Sequence, residues 1–138
     1  MLTNPFLHIN KKQESFLGTK NLDGYKIITR ELEDVYSGLY IHLVGRIDFN
    51  NYMSFEVFLD ELEKHPYQNI VVDIKGLTHT NSCLVGSFIK LHKRIMKDGK
   101  LVFINIEDNV KEVFDLIGLT QYLVFKKSMD DAIKYIKA

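Results

Sequence analysis

The chain lacks the features of secreted and membrane proteins. Among its 138 residues there is one cysteine, Cys83, which cannot form an internal disulfide and suits a reducing compartment. No apolar run approaches the roughly 20 residues that a membrane-spanning helix needs. The first residues, MLTNPFLHINKKQ, have no basic start followed by a long apolar block, so they predict no secretion signal. We therefore expect a cytoplasmic protein with no membrane partner.

Net charge and ligand motifs are also missing. The 18 basic and 18 acidic side chains cancel, so no overall field favours nucleic acid or an anionic membrane. The 5 histidines show no metal-ligand spacing such as His-x-x-x-His, and neither Gly-x-Gly-x-x-Gly nor a Walker pattern is present. We expect no cofactor and no nucleic-acid partner. A content of 46% hydrophobic and 26% charged residues is ordinary for a globular domain.

Residues 1–24 differ from the rest of the chain. Pro5, Gly18 and Gly24 interrupt short apolar clusters there. We interpret this stretch as a partly ordered N-terminal extension that packs its aromatic side chains either on the domain or on a second subunit of a homodimer. From Tyr25 onward the pattern is regular, which predicts one domain over residues 25–138.

Strands alternate with helices along residues 25–138. Period-two alternation and short apolar runs predict about five strands, which are YKIITRELE, LYIHLVGRI, NIVVDI, LVFINI and YLVF. Apolar side chains at helical spacing predict about four helices, which start after Asn50 or Asn51, near Leu84, after Asp108 or Asn109, and after Ser128. An opening hairpin followed by this alternation predicts an α/β fold with a mixed central sheet.

The segment IVVDIKGLTHTNSCLVG, residues 70–86, carries the most information about function. A buried strand and a polar loop precede Ser82, and a helical pattern starts at Leu84. Unpaired backbone N–H groups and the positive end of a helix dipole meet at such a place, and they would favour a phosphate on Ser82. Ser82 is either a plain helix cap or loop hydrogen-bonder, or a switch. Thr78, Thr80 and Ser87 are weaker alternative acceptors.

Four segments together resemble the STAS domain family, and within it the stand-alone anti-sigma factor antagonists. In chain order they are LVGRIDFNN, IVVDIKGLTHTNSCLVG, GKLVFINI and VKEVFDLIGLTQYLVFKKSMDDAI. The likeness lies in the order and spacing of all four and covers residues 25–138. It implies a STAS-type mixed sheet of about five strands with about four helices, to which residues 1–24 are added as an extension.

The resemblance extends to the phosphoacceptor loop of that family, which usually reads Asp-Ser-Ser/Thr-Gly. In this chain Asn81 stands at the aspartate position, Ser82 at the phosphoacceptor, Cys83 at the second hydroxyl residue and Leu84 at the glycine, and Gly86 matches a later glycine. Asn81 supplies no negative charge, and Leu84 restricts the backbone where the family has glycine.

The resemblance implies regulation of transcription by partner switching, without enzyme activity. The unphosphorylated chain would bind an anti-sigma factor that is also a serine kinase, phosphorylation of Ser82 would end that binding, and a phosphatase would restore it. A phosphoserine adds about −1.5 to −2 charges, enough to disrupt an interface. The residues expected to form the partner-binding surface are Asp48, Asn50, Asn51, Thr80, Asn81, Cys83, Leu84 and Gly86.

Several alternatives stay open at this stage. The residues at positions 81 and 84 favour a STAS scaffold or accessory subunit that binds its partner constitutively, and a small-ligand or nucleotide sensor is a further alternative. Asp48 either binds loop amides or lies near the acceptor, or it is a turn aspartate that caps the helix after Asn50. A nucleophile-and-base pair of His79 with Ser82 or Cys83 has no oxyanion glycine pair beside it, so we expect no catalysis.

Basic side chains recur on the helix that follows Ser82. They are Lys90, Lys93, Arg94 and Lys97, and they stand among its apolar positions. Such a pattern is typical of a solvated helix face. It would also complement an acidic partner, with binding that weakens as salt is added.

Overall fold

The computed structural model describes residues 16–65 and 67–138, so predictions for residues 1–15 lie outside the described residues. Within those ranges the chain forms seven strands and five helices, which we number in chain order. The strands are β1 (Gly18–Leu22), β2 (Tyr25–Leu32), β3 (Gly38–Arg46), β4 (Asn69–Asp73), β5 (Leu77–His79), β6 (Leu101–Ile104) and β7 (Phe125–Lys126). The helices are α1 (Tyr52–Leu62), α2 (Ser82–Ile95), α3 (Asp108–Leu116), α4 (Leu119–Tyr122) and α5 (Met129–Lys137).

The strands form one mixed sheet in the order β1-β2-β3-β4-β6-β7, with β5 also paired to β3. β1, β2 and β3 are antiparallel neighbours, whereas β4, β5, β6 and β7 join through parallel pairings. The alternating burial of β2 fits a strand near an edge, and the uninterrupted burial of β6 fits a central strand covered on both faces. The predicted α/β fold with a mixed sheet is confirmed.

Helices cover both faces of the sheet. The larger apolar cluster lies beneath α1, α2, α3 and α4, and the smaller one lies beneath α5. Phe16 belongs to the larger cluster and stacks on Phe58 with ring centroids 5.4 Å apart. An aromatic side chain of the predicted extension therefore packs on the domain. No helix in the described ranges is long and apolar enough to cross a bilayer.

Three short elements go beyond the sequence prediction. β1 lies within the stretch predicted as an extension and pairs with β2 in the sheet, β5 interrupts the loop before α2, and α4 follows α3 directly. α4 also takes up Tyr122, so the predicted YLVF strand was wrong at its start, and β7 begins at Phe125. Likewise α2 begins at Ser82, two residues before the predicted Leu84, because a cap at Asn81 starts the helix there.

Candidate functional site

The turn after β3 is held by the side chain of Asn51. Its Nδ2 donates to the carbonyl oxygens of Asp23 at 2.7 Å and Arg46 at 2.8 Å, and its Oδ1 accepts from the Asp48 backbone N–H at 2.7 Å. Asn51 occupies the N-cap position of α1 but makes no side-chain capping bond. Asn51 was expected to cap the helix, but its side chain instead connects the β1–β2 turn to the β3–α1 turn.

Asp48 acts within its own turn. Its Oδ1 accepts from the Asn50 N–H at 2.9 Å, and its Oδ2 accepts from Arg46 Nε at 3.3 Å. These contacts, the Asn50 N–H above all, hold the pKa of Asp48 below its usual value. The backbone oxygen of Asp48 also accepts from the N–H of Tyr52 at 3.0 Å. The Asp48 side chain thus binds an amide of the turn before α1, whose N-cap position is occupied by Asn51.

Asn81 caps α2 and attaches this helix to the turn after β3. Its backbone is extended (φ −151°, ψ 174°), and its Oδ1 accepts from the N–H groups of Cys83 at 2.9 Å and Leu84 at 3.0 Å. Its Nδ2 donates to the Ile47 carbonyl at 2.9 Å. Ser82 is therefore not the cap of this helix. One asparagine side chain brings the predicted acceptor loop beside the Asp48 turn.

Ser82 is exposed on the first turn of α2. Its hydroxyl forms no hydrogen bond with any described residue. Cys83 and Gly86 are half-buried beside it, whereas Leu84 is wholly buried in the larger core. The Thr80 hydroxyl is buried and has no hydrogen-bond partner among the described residues. The structure thus places most of the predicted surface residues together and places Leu84 in the core, where its side chain offers no surface.

An exposed apolar stripe on α1 was not predicted. Phe49, Met53 and Val57 are 66%, 61% and 60% exposed. Met53 and Val57 lie four residues apart on one side of α1, and Phe49 precedes the helix, in the Asp48 turn. The sequence does place these apolar residues away from the buried face of α1, which carries Phe55 and its neighbours. It was missed because an apolar side chain does not reveal its own exposure.

Ion pairs join α2 to α1. Glu56 accepts a hydrogen bond from Ser87 at 2.9 Å and lies 3.6 Å from Lys90, and Arg94 lies 2.6 Å from Glu63. Of the four basic residues that the sequence placed on this helix, Lys90 and Arg94 thus have acidic partners within the chain, and Lys97 lies beyond the end of α2 at Ile95. No ion pair involves Lys93 among the described residues.

Chemistry for catalysis or metal binding is not assembled at this site. Over residues 16–65 and 67–138, no group of three or more His, Cys, Asp and Glu side chains could hold a metal ion. In the same ranges no hydrogen bond joins His79 to Ser82 or Cys83, as a base and its nucleophile would require. What the site offers is an exposed hydroxyl on the first turn of α2, whose start is held by Asn81.

Comparisons with known proteins find one family and a set of related folds. A family model described as "STAS domain" matches residues 26–132. An anti-sigma factor antagonist from Mycobacterium paratuberculosis shares 13% identity at a TM-score of 0.74, over 84% of this chain and 97% of that one. An anti-sigma-factor antagonist (STAS) domain protein from Planctomyces limnophilus shares 14% at 0.67, over 81% and 98%. The Bacillus cell fate determinant SpoIIAA in its phosphorylated form shares 15% at 0.58, over 80% and 98%. At these identities the likeness is one of fold.

Proposed function

The chain belongs to the STAS domain family, whose model matches residues 26–132, and from this premise we propose that it is a regulatory protein-binding module that works as an anti-sigma factor antagonist. Unphosphorylated, it binds an anti-sigma factor that is also a serine kinase. Phosphorylation of Ser82 ends that binding, and a phosphatase restores it. In this proposal the chain is a cytoplasmic regulator of transcription and catalyses no reaction itself.

The exposure of Ser82 at the fixed start of α2 is the observation that carries the proposal. The hydroxyl faces solvent, where a kinase can reach it. The N–H groups of Cys83 and Leu84 are already bonded to Asn81, so a phosphate would project outward and find few free donors in the first turn. It would place about −1.5 to −2 charges on the surface while Leu84 stays in the core. The modification therefore changes binding and leaves the fold intact.

The proposed partner-binding surface surrounds that hydroxyl. Asn50 is exposed, and Cys83 and Gly86 are half-buried beside Ser82, so these residues offer direct contacts. Asp48, Asn51 and Asn81 hold the two turns in place through their hydrogen bonds. Phe49, at 66% exposure, adds apolar area at the same edge. The phosphorylated SpoIIAA of Bacillus supports the proposal, since that protein keeps this type of fold when phosphorylated.

Mapping the phosphate is the direct test. The protein is incubated with Mg-ATP and each anti-sigma factor kinase encoded in the same genome, and the modified residue is found by mass spectrometry. Ser82→Ala should abolish labelling. Thr78→Ala removes another exposed hydroxyl and should leave labelling unchanged. Ser82→Asp should weaken binding to the unreacted kinase by roughly tenfold or more, as like charge at an interface does. Labelling that persists in Ser82→Ala would refute the assignment of the acceptor.

A constitutive scaffold is the second candidate, and Asn81 and Leu84 favour it. Asparagine at the aspartate position supplies no charge to orient a hydroxyl or hold a metal, and Leu84 is fixed in the core. A scaffold of this kind would bind its partner with the same affinity in the wild type, Ser82→Ala and Ser82→Asp. The remaining alternative is a small-ligand or nucleotide sensor. Titration calorimetry with nucleotides tests it, because only a chain that binds the nucleotide would release or absorb heat of binding.

A further inference from the structure

We propose that a groove between α2 and the α3–α4 corner binds an acidic amphipathic helix of a partner protein. The groove has a volume of about 430 Å³. The residues that line it are Ile89, Lys93, Ile117, Gly118, Leu119 and Tyr122. The inference deepens the proposed function, on which it rests, by giving the chemistry of the partner and the path along which it lies.

Apolar side chains are exposed along this groove. Ile117 is 55% exposed and Tyr122 is 44% exposed, and Leu116 just before them is 86% exposed. Leu119 and Ile89 belong to the floor, since the first is buried in the core and the second packs against it. Large apolar side chains clustered at a groove between helices are typical of a surface that another protein covers.

The groove is continuous with the Ser82 surface. Ser82, Gly86, Ile89 and Lys93 follow one another at steps of four, three and four residues on α2, the spacing of one helix face. At Gly86, a β-carbon would have no atom within 4 Å, so this point is open to a partner's side chain. The rise from Ser82 to Lys93 is about 16 Å, the length of three helical turns. A partner helix of three turns would therefore run from the hydroxyl to the lysine.

The charges along the groove favour an acidic partner. Lys93 lines the groove, and neither Lys93 nor Lys97 forms an ion pair within the described ranges. Asp115 on α3 is not one of the lining residues, and it is already engaged by the Thr120 hydroxyl at 2.6 Å and by Lys111 at 2.9 Å, contacts that lower the pKa of Asp115. Lys93 is thus the one charged side chain among the six lining residues, and it is left to a partner's carboxylate.

This arrangement connects the groove to phosphorylation. A phosphate on Ser82 would add negative charge at one end of the helix face that an acidic segment follows. Repulsion between the phosphate and the partner's carboxylates would then weaken binding along the whole groove.

Synthetic peptides test the groove without any kinase. Three peptides of equal length are titrated into the full chain: an amphipathic helix of leucine and glutamate, the same helix with lysine for glutamate, and a scramble of the acidic one. Backbone amide NMR shifts report where each peptide binds. We expect the acidic helix to bind most tightly, with shifts centred on Ile89, Lys93, Ile117 and Tyr122, and added salt to weaken it.

Matched variants complete the test. Lys93→Glu should lower the affinity for the acidic helix by roughly tenfold, and Lys26→Glu, an exposed reversal on β2, by less than about twofold. Ile117→Ser with Tyr122→Ser should abolish binding. Met53→Ser with Val57→Ser, which removes similarly exposed apolar side chains from α1, should leave it unchanged.

Four outcomes would overturn the inference: equal binding of the three peptides, shifts centred on α1, no binding, or self-association of the chain that Ile117→Ser abolishes. The last outcome would assign the groove to a second copy of the chain. None of these outcomes bears on whether Ser82 is phosphorylated. Conversely, if the acidic peptide binds the groove and no kinase labels the chain, the groove proposal is supported and the phosphorylation switch is refuted.

Discussion

Replacing Asn81 by alanine should destabilise the protein more than its partly exposed position suggests. The side chain makes three hydrogen bonds at once, to the N–H groups of Cys83 and Leu84 and to the Ile47 carbonyl. Alanine removes all three without clashing with anything. Asn81→Ala therefore measures how strongly one side chain holds the Ser82 loop.

The magnitude follows from two contributions. Loss of an N-cap acceptor costs about 1 kcal/mol, with a range of about 0.5–2. The Ile47 carbonyl also loses the amide that Asn81 donates to it at 2.9 Å, which costs about another 1 kcal/mol. The total is about 2 kcal/mol. With a urea m-value of about 1.5 kcal/mol/M, the midpoint of unfolding should fall by about 1.3 M.

Aspartate at the same position is the matched control. Asn81→Asp keeps the acceptor for both N–H groups and adds a charge that the helix dipole favours by about 0.5 kcal/mol, but it loses the donor to Ile47. Its net cost should be near 0.5 kcal/mol, well below that of alanine. Urea unfolding at neutral pH, followed by far-UV circular dichroism, gives both values. The reasoning is refuted if alanine costs less than about 0.5 kcal/mol or if aspartate costs as much as alanine.

Three further substitutions test the core and the backbone. Tyr40 donates to Asp73 at 2.6 Å, and burial, with Asp73 next, raises the pKa of Tyr40; its contribution to stability is complete below the ordinary phenol pKa of about 10 and falls as the pH rises above it. Tyr40→Phe should therefore flatten the loss of unfolding free energy in urea above about pH 10, and an unchanged slope there would contradict this. Gly45 has φ +116°, and a β-carbon there would lie 2.6 Å from the Gly24 oxygen, so Gly45→Ala should cost more than about 2 kcal/mol. Gly86→Ala, in open space within α2, should instead raise stability by about 0.5–1 kcal/mol, and thermal melts that reverse this order would disprove both assignments.

The sequence predicted the strands whose own residues form a clear apolar pattern. NIVVD and LVFI carry consecutive apolar residues, and both form strands with buried centres. β1 and β5 carry no such signal. β1 reads GTKNL and has no fully buried residue, so its place in the sheet comes from pairing with β2. β5 has three residues and joins β3 beyond an irregularity at Gly45. Strands of this kind form because they pair with other strands, and a local sequence pattern does not reveal that pairing.

The candidate site was predictable in place but not in detail. The order of strand, polar loop and helix put Ser82 at a helix start, where the structure has it. Which residue caps the helix was not readable, because serine and asparagine are both good caps and the choice depends on the backbone angles at Asn81. Asn51 shows the same limit. Its amide bonds Asp23, 28 positions away in the chain, and no local rule anticipates such a contact.

The two asparagines explain how the Ser82 surface can be both exposed and fixed. Asn51 donates to the Arg46 carbonyl and Asn81 to the Ile47 carbonyl, so both turns are attached to the same end of β3. Because those bonds do not use the Ser82 hydroxyl, a group added to that oxygen has no structural contact to break. A loop held in this way loses little conformational entropy when a partner docks. A charge placed on the Ser82 oxygen should therefore leave the free energy of unfolding nearly unchanged. The hydrogen bonds that hold the site and the hydroxyl that is open to modification thus belong to different side chains.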